Sequence, residues 1–207
     1  PHRDEDGLRT RHLDQLMTWR RVPNVRAGHL SIFIAVTAVA CSDGPTAPDP
    51  EPTYLLPFPV GDSAQLIQGN NGSFTHFGPS AYGFDFRMTI GRGVTAMRAR
   101  QVVAVEERYL DGNRTPGQEN LVFLRHDDGT FARYYHLTVN GALVSLGQRV
   151  AAGDTIGLSG DTGYSTTPHL HVDVTRDCVA WGCQTVWIRF QNAGADTLVA
   201  GRVYRAQ

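Results

Sequence analysis

The chain has 207 residues, enough for one well-buried domain and too few for a large multidomain machine. It is 41% hydrophobic and 19% charged with a formal net charge of -1, which fits a globular protein and gives no electrostatic case for binding nucleic acid. All 19 cationic residues are arginine, so any mechanism that needs a catalytic or Schiff-base lysine, a lysine-bearing phosphate loop included, is ruled out.

Charge is unevenly placed: residues 1–40 hold six arginines and four acids, and the remainder thirteen and sixteen. Arg20, Arg21 and Arg26 precede the apolar run Leu30 to Ala40 and then Cys41. A basic stretch, a short apolar run and small residues describe a secretory signal. Eleven residues are too few to span a bilayer, which takes roughly 20. Ala38-Val39-Ala40-Cys41 resembles the lipobox of bacterial lipoproteins, which implies that Cys41 is lipidated and becomes the mature N-terminus. A buried core strand followed by an ordinary buried cysteine is the plain alternative, and the arginine cluster argues against it. Met17 stands just ahead of Arg20 and Arg21, so translation is expected to start there, leaving residues 1–16 as annotation excess and 17–40 as the signal peptide. Residues 41–53 are proline-rich and read as an extended tether. The folded domain is expected over residues 54–207.

No long stretch of that domain has apolar residues at helical spacing. Short β-rich runs recur at Tyr82 to Met88, Gln101 to Glu106, Asn120 to His126, Thr130 to Leu137, Thr155 to Ser159, His169 to Val174 and Val186 to Phe190, with glycine-rich turns between several of them. The expectation is an all-β domain of antiparallel sheets.

In Pro168-His169-Leu170-His171-Val172-Asp173-Val174, strand alternation puts His169, His171 and Asp173 on one face and the apolar residues on the other. Two imidazoles so placed can share a metal site, or one can bind while its neighbour acts as a base. Taken alone, such a pair is more often an exposed strand feature without function. Further candidates are His136 in Tyr134-Tyr135-His136-Leu137, His76 at the end of a glycine-rich loop from Gly69, and Asp85, which alternation sets opposite Tyr82, Phe84 and Phe86. By the same alternation Tyr135 falls on the face opposite His136.

The order of these blocks resembles the lysostaphin-type, LytM-like (β-lytic) family of zinc metallopeptidases, which cut cell-wall peptides. The resemblance runs from about Gly69 to Val174, with a weaker echo to Tyr204. It rests on the His76 to Asp85 block, Gly93-Val94-Thr95-Ala96, the His126 to Thr130 hairpin, Tyr135-His136-Leu137, and the run Gly147 to Gly163 that leads into Pro168-His169-Leu170-His171. It implies an open groove between antiparallel sheets (the duplicated hybrid motif fold), a Zn²⁺ held by His76, Asp85 and His171, and catalytic histidines at His136 and His169. The commonest family pattern separates the first histidine from the aspartate by four residues. Here the separation is nine, which reads as an enlarged loop.

Two neutral imidazoles and one carboxylate leave a fourth tetrahedral position for water, the arrangement of a catalytic zinc. Zinc brings the pKa of such a water to about 7, and His169 or His136 would accept the proton. His126 reads as structural, and Asp173 either orients His171 or is solvated. Once lipidation uses Cys41, Cys178 and Cys183 remain as a pair that could close a small disulfide loop in an oxidising compartment. The expected protein is an exported, lipid-anchored, periplasm-facing endopeptidase acting on peptidoglycan peptides. A LytM-like domain that only binds wall or activates an amidase is the competing reading. The Gly141 to Gly153 segment also resembles lipoyl, biotinyl and phosphotransfer carriers, but the missing lysine and the export signal oppose them.

Overall fold

The computed structural model describes residues 53–207. The expected signal peptide, Met17, Cys41 and residues 41–52 of the expected tether lie outside the described residues. In chain order the strands are β1 (Thr53–Tyr54), β2 (Ser63–Gln68), β3 (Phe84–Arg87), β4 (Gly93–Thr95), β5 (Arg100–Glu106), β6 (Asn120–Arg125), β7 (Thr130–Ala142), β8 (Arg149–Val150), β9 (Thr155–Ser159), β10 (His169–Arg176), β11 (Arg189–Phe190) and β12 (Val203–Arg205). Among the described residues the only helix is a 3-10 turn at Gly78–Ser80. The all-β expectation therefore holds, and each of the seven expected runs contains a strand.

The main sheet runs β12-β2-β3-β10-β7-β6-β5-β8 with antiparallel neighbours, β9 pairs with β7 and β4, and β1 pairs with β11 in a small parallel sheet. Strands β3, β10 and β7 lie side by side, with His171 opposite both Asp85 and Tyr135, Asp173 opposite Arg133, and Val172 opposite Phe84 and Tyr134. Residues directly opposite on paired strands share a face, so this register sorts the three strands into two sets. Phe84, Phe86, Leu170, Val172, Val174, Ala132 and Tyr134 are buried in the core. Phe86 meets Phe58 edge-on at 5.5 Å between ring centres, and Phe84 meets Phe190 at 5.0 Å. Each large side chain so buried stabilises the fold by about 1.5–3 kcal/mol. The other face carries Asp85, His171, Asp173, Arg133 and Tyr135. The core thus backs three strands whose polar face lines a groove.

Two features depart from simple alternation. Tyr82 lies in the turn before β3 rather than on its aromatic face, and its N–H donates to Thr185 Oγ1 at 2.9 Å. On β7, Tyr135 pairs with Leu121 and Leu137 with Asn120, so His136 is the extra residue of a β-bulge, with φ of 62°. A bulge re-aims the side chain it carries. Tyr135 and His136 consequently both line the groove, correcting the expectation that they face opposite ways.

Candidate metal centre and catalytic groove

Three side chains from separate parts of the chain meet at the floor of the groove. His76 ends the Gly69 loop, Asp85 comes from β3 and His171 from β10. Their ligand atoms form a small triangle: His76 Nε2 lies 3.2 Å from His171 Nδ1 and 3.3 Å from Asp85 Oδ1, and the last two are 2.7 Å apart. Gly83 makes the approach possible, since a Cβ there would sit 2.9 Å from both His171 Cε1 and His76 Nε2.

The donor set fits zinc. Arms of 2.0–2.1 Å to tetrahedral ligands imply edges of about 3.3 Å, which two sides of the triangle already match. A circle through the three atoms has a radius of about 1.8 Å, shorter than a zinc arm, so one point can stand at bonding distance from all three. The nine-residue separation of His76 and Asp85, which contains the 3-10 turn, does not pull them apart.

Hydrogen bonds fix which nitrogen each ring presents. His76 Nδ1 lies 2.9 Å from the Gly69 carbonyl, which can only accept, so Nδ1 carries the hydrogen and Nε2 faces the centre. His171 is turned the other way, with Nδ1 toward Asp85 and Nε2 at 3.3 Å from Asp173 Oδ2. Burial alone would lower the His171 pKa, but hydrogen bonds and charge from Asp173 and Asp85 outweigh it and lift the value to about 9. Burial pushes Asp85 up, and the hydrogen bond and charge of His171, with His76 beside it, more than reverse this, holding the carboxyl well below its usual range. The centre is built to hold positive charge.

His169 and His136 flank this triangle. His169 Nδ1 donates to the Thr167 carbonyl at 2.7 Å, and Nε2 points inward, 3.8 Å from Asp85 Oδ1. His136 Nδ1 donates to the Thr162 carbonyl at 2.7 Å, and its ring centre is 4.6 Å from that of His169. Both rings therefore offer a bare Nε2. Burial, reinforced by the neighbouring His169 and His171, lowers the His136 pKa to about 3, and burial also lowers that of His169, against the pull of Asp85. Both rings are neutral at neutral pH.

The groove has a volume of about 910 Å³. Its walls include the Gly69 to Phe77 loop and Trp181, and Phe74 stacks on Tyr164 at 6.5 Å between ring centres. His126 lies elsewhere, buried with Nδ1 at 2.9 Å from Thr130 Oγ1. Asp173 is buried rather than solvated. Cys178 and Cys183 form a disulfide.

Three participants escaped the sequence reading. Gln68 donates from Nε2 to Asp85 Oδ2 at 2.9 Å and to Thr75 Oγ1 at 2.7 Å, while its Oε1 accepts the N–H groups of Phe74 and Thr75. Ser165 links Asp161 to His169, and Arg133 grips Asp173. None stands in a motif that marks it from sequence, and only the strand register pairing Arg133 with Asp173 could have signalled one of them.

Residues 79–182, half of the chain, match Peptidase family M23. The chain belongs to that family. Asp85, His136, His169 and His171 fall within the matched span, and His76 lies three residues ahead of it. Among M23 relatives, glycyl-glycine endopeptidase ALE-1 of Staphylococcus capitis is 40% identical over 95 residues, covering 45% of this chain and 24% of its own. Lysostaphin of Staphylococcus simulans is 41% identical over 91 residues, 44% of this chain and 17% of its own. Peptidoglycan DD-endopeptidase ShyA of Vibrio cholerae is 38% identical over 92 residues, 44% and 19% respectively. The chain thus spans a quarter or less of the length of these curated relatives. The solved catalytic domain of lysostaphin from Staphylococcus simulans aligns with 60% of this chain and 86% of its own, at 27% identity and a TM-score of 0.45.

Proposed function

We propose that this M23 protein is a zinc-dependent endopeptidase that hydrolyses peptide cross-links of bacterial peptidoglycan outside the cytoplasm. The observation that carries the reading is the combination, in one groove, of a three-donor metal triangle and two neutral histidines with bare Nε2 atoms. His76, Asp85 and His171 would hold the zinc, which when bound supplies a Lewis acid that polarises the scissile carbonyl and acidifies water. His169 is the proton acceptor in this reading, because its Nε2 stands beside the metal triangle, 3.8 Å from Asp85 Oδ1. His169 takes the proton of the attacking water as the O–C bond forms at the carbonyl carbon. It returns that proton to the amide nitrogen as the C–N bond breaks, giving a carboxylic acid and an amine, which exchange a proton to leave as carboxylate and ammonium. His136, tethered through Thr162, offers a second acceptor beside it to orient the water or a substrate N–H.

The names glycyl-glycine endopeptidase for ALE-1 and peptidoglycan DD-endopeptidase for ShyA support a wall peptide as substrate. The lipobox-like Ala38 to Cys41 supports a lipid-anchored, periplasm-facing protein, tethered by residues 41–53 to a catalytic domain over 54–207, and that context favours D-alanyl-diaminopimelate cross-links over glycine bridges. An amidase activator or wall-binding module would not need this full ligand set. The test is digestion of purified cross-linked muropeptides by the zinc-loaded chain, followed by chromatography. Conversion to monomers is expected, with His171→Ala inactive; intact dimers with both proteins would refute the reading.

A further inference from the structure

We infer that Arg133 is a positioning residue for the metal ligand His171, acting through Asp173 and tied to the Cys178–Cys183 loop; this rests on the zinc reading above. With Nδ1 of His171 turned to the metal triangle, the ring's remaining N–H at Nε2 points at Asp173 Oδ2, 3.3 Å away. That contact holds the ring only if the carboxylate itself cannot rotate. Arg133 prevents rotation with a two-pronged grip, Nε donating to Oδ1 at 2.6 Å and Nη2 to Oδ2 at 2.8 Å. Arg133 is 3% exposed and Asp173 2%, so this is no solvated surface bridge.

The third nitrogen, Nη1, donates to the Ala180 carbonyl at 2.8 Å. Ala180 sits inside the loop closed by the disulfide. The neighbouring Trp181 packs edge-on against Tyr135, which in turn packs edge-on against His171, at 6.1 and 5.5 Å between ring centres. The Arg133 guanidinium also stands 5.5 Å from the Tyr135 ring centre. The loop therefore reaches the same ligand by two routes, one polar and one aromatic. A buried ion pair is a weak stabiliser compared with apolar side chains of the same volume, so its placement directly behind a metal ligand calls for another reason. Hydrogen-bond partners behind a metal-bound histidine set its tautomer and orientation, and their loss weakens metal binding by about 10–100-fold.

The experiment uses the full chain and reads zinc affinity by competition with a chromophoric chelator, alongside ¹⁵N NMR of the His171 ring and thermal melting of the metal-free form. Arg133→Lys keeps the charge and loses the fork. The double variant Arg133→Met with Asp173→Asn removes both charges, so no unpaired buried ion is left to unfold the protein. Both should bind zinc about 10–100-fold more weakly, and the signature of an Nε2–H, Nδ1-liganded His171 should give way to mixed ring states. Replacing Cys178 and Cys183 with serine should weaken zinc binding by a smaller factor in the parent, and by less again in the Arg133→Lys background. Parent-like zinc affinity and an unchanged His171 spectrum in both Arg133 variants, even with lowered melting temperatures, would overturn the inference while leaving the zinc reading intact. A parent chain that takes up no zinc would overturn both.

Discussion

Replacing Gly83 with alanine tests the metal centre at its tightest point. The new Cβ would lie 2.9 Å from His171 Cε1 and 2.9 Å from His76 Nε2, whereas carbon needs roughly 3.5 Å for an ordinary contact. About 0.6 Å of movement must therefore be found, and neither ring is free to supply it. His76 is held by the Gly69 carbonyl at 2.9 Å and His171 by Asp85 at 2.7 Å. Overpacking of this kind costs about 1–3 kcal/mol. The effect on the metal should be sharper than the effect on the fold, because zinc ligands must stay within about 0.2 Å of their bonding distances. Chelator competition should show at least a tenfold loss of zinc affinity, about 1.4 kcal/mol or more, with the metal-free protein still folding cooperatively. Parent-like zinc affinity in Gly83→Ala would refute the convergence of His76 and His171 on one ion.

Other expectations follow from the groups around the groove and behind the sheet. Burial, with help from Arg98, lowers the His126 pKa from 6.5 to about 4; the unfolded chain then binds the extra proton between those values, so the associated stability is present above pH 6.5 and lost as pH falls through 4. The loss amounts to about 3 kcal/mol. Urea titrations at pH 7 and pH 4 should show it as a difference that shrinks in His126→Gln, and an unchanged pH dependence in that variant would contradict the assignment. Gln68→Met removes the donor to Asp85 and the clamp on the His76 loop, and should weaken zinc binding about tenfold in the same competition assay, more than it lowers the melting temperature of the metal-free form. Tyr134→Phe leaves the Met97 N–H without its 2.7 Å acceptor in the core, which should cost about 1–3 kcal/mol in chemical denaturation with little change in zinc affinity.

How far the site was legible in the sequence depended on whether local periodicity survived folding. On β3 and β10 it did: alternation alone set Asp85 opposite Phe84 and Phe86, and His169, His171 and Asp173 opposite Leu170, Val172 and Val174, and the register agrees. The short strands β4, β8 and β12 were invisible because two or three residues carry no period, and β2 has a bulge between Leu66 and Gln68. On β7 the period-two reading failed at His136, and the reason is physical. Strand β7 pairs with β6 through Tyr135 and Leu137 and with β9 through Leu137, and both ladders close only if one residue between them is left out. The residue left out is the one whose side chain must reach back over the groove to His169, and its left-handed backbone at 62° is the local cost. A strand in perfect alternation would have sent His136 to the face opposite Tyr135, away from the metal triangle. The same logic explains Arg133, which by composition is one more arginine on a strand. Only the register that places it across from Asp173 turns it into a buried partner of a metal ligand. Sequence patterns held on β3 and β10, where plain alternation already delivers the site residues, and broke at the bulges of β7 and β2, which bring His136 and Gln68 to the zinc site.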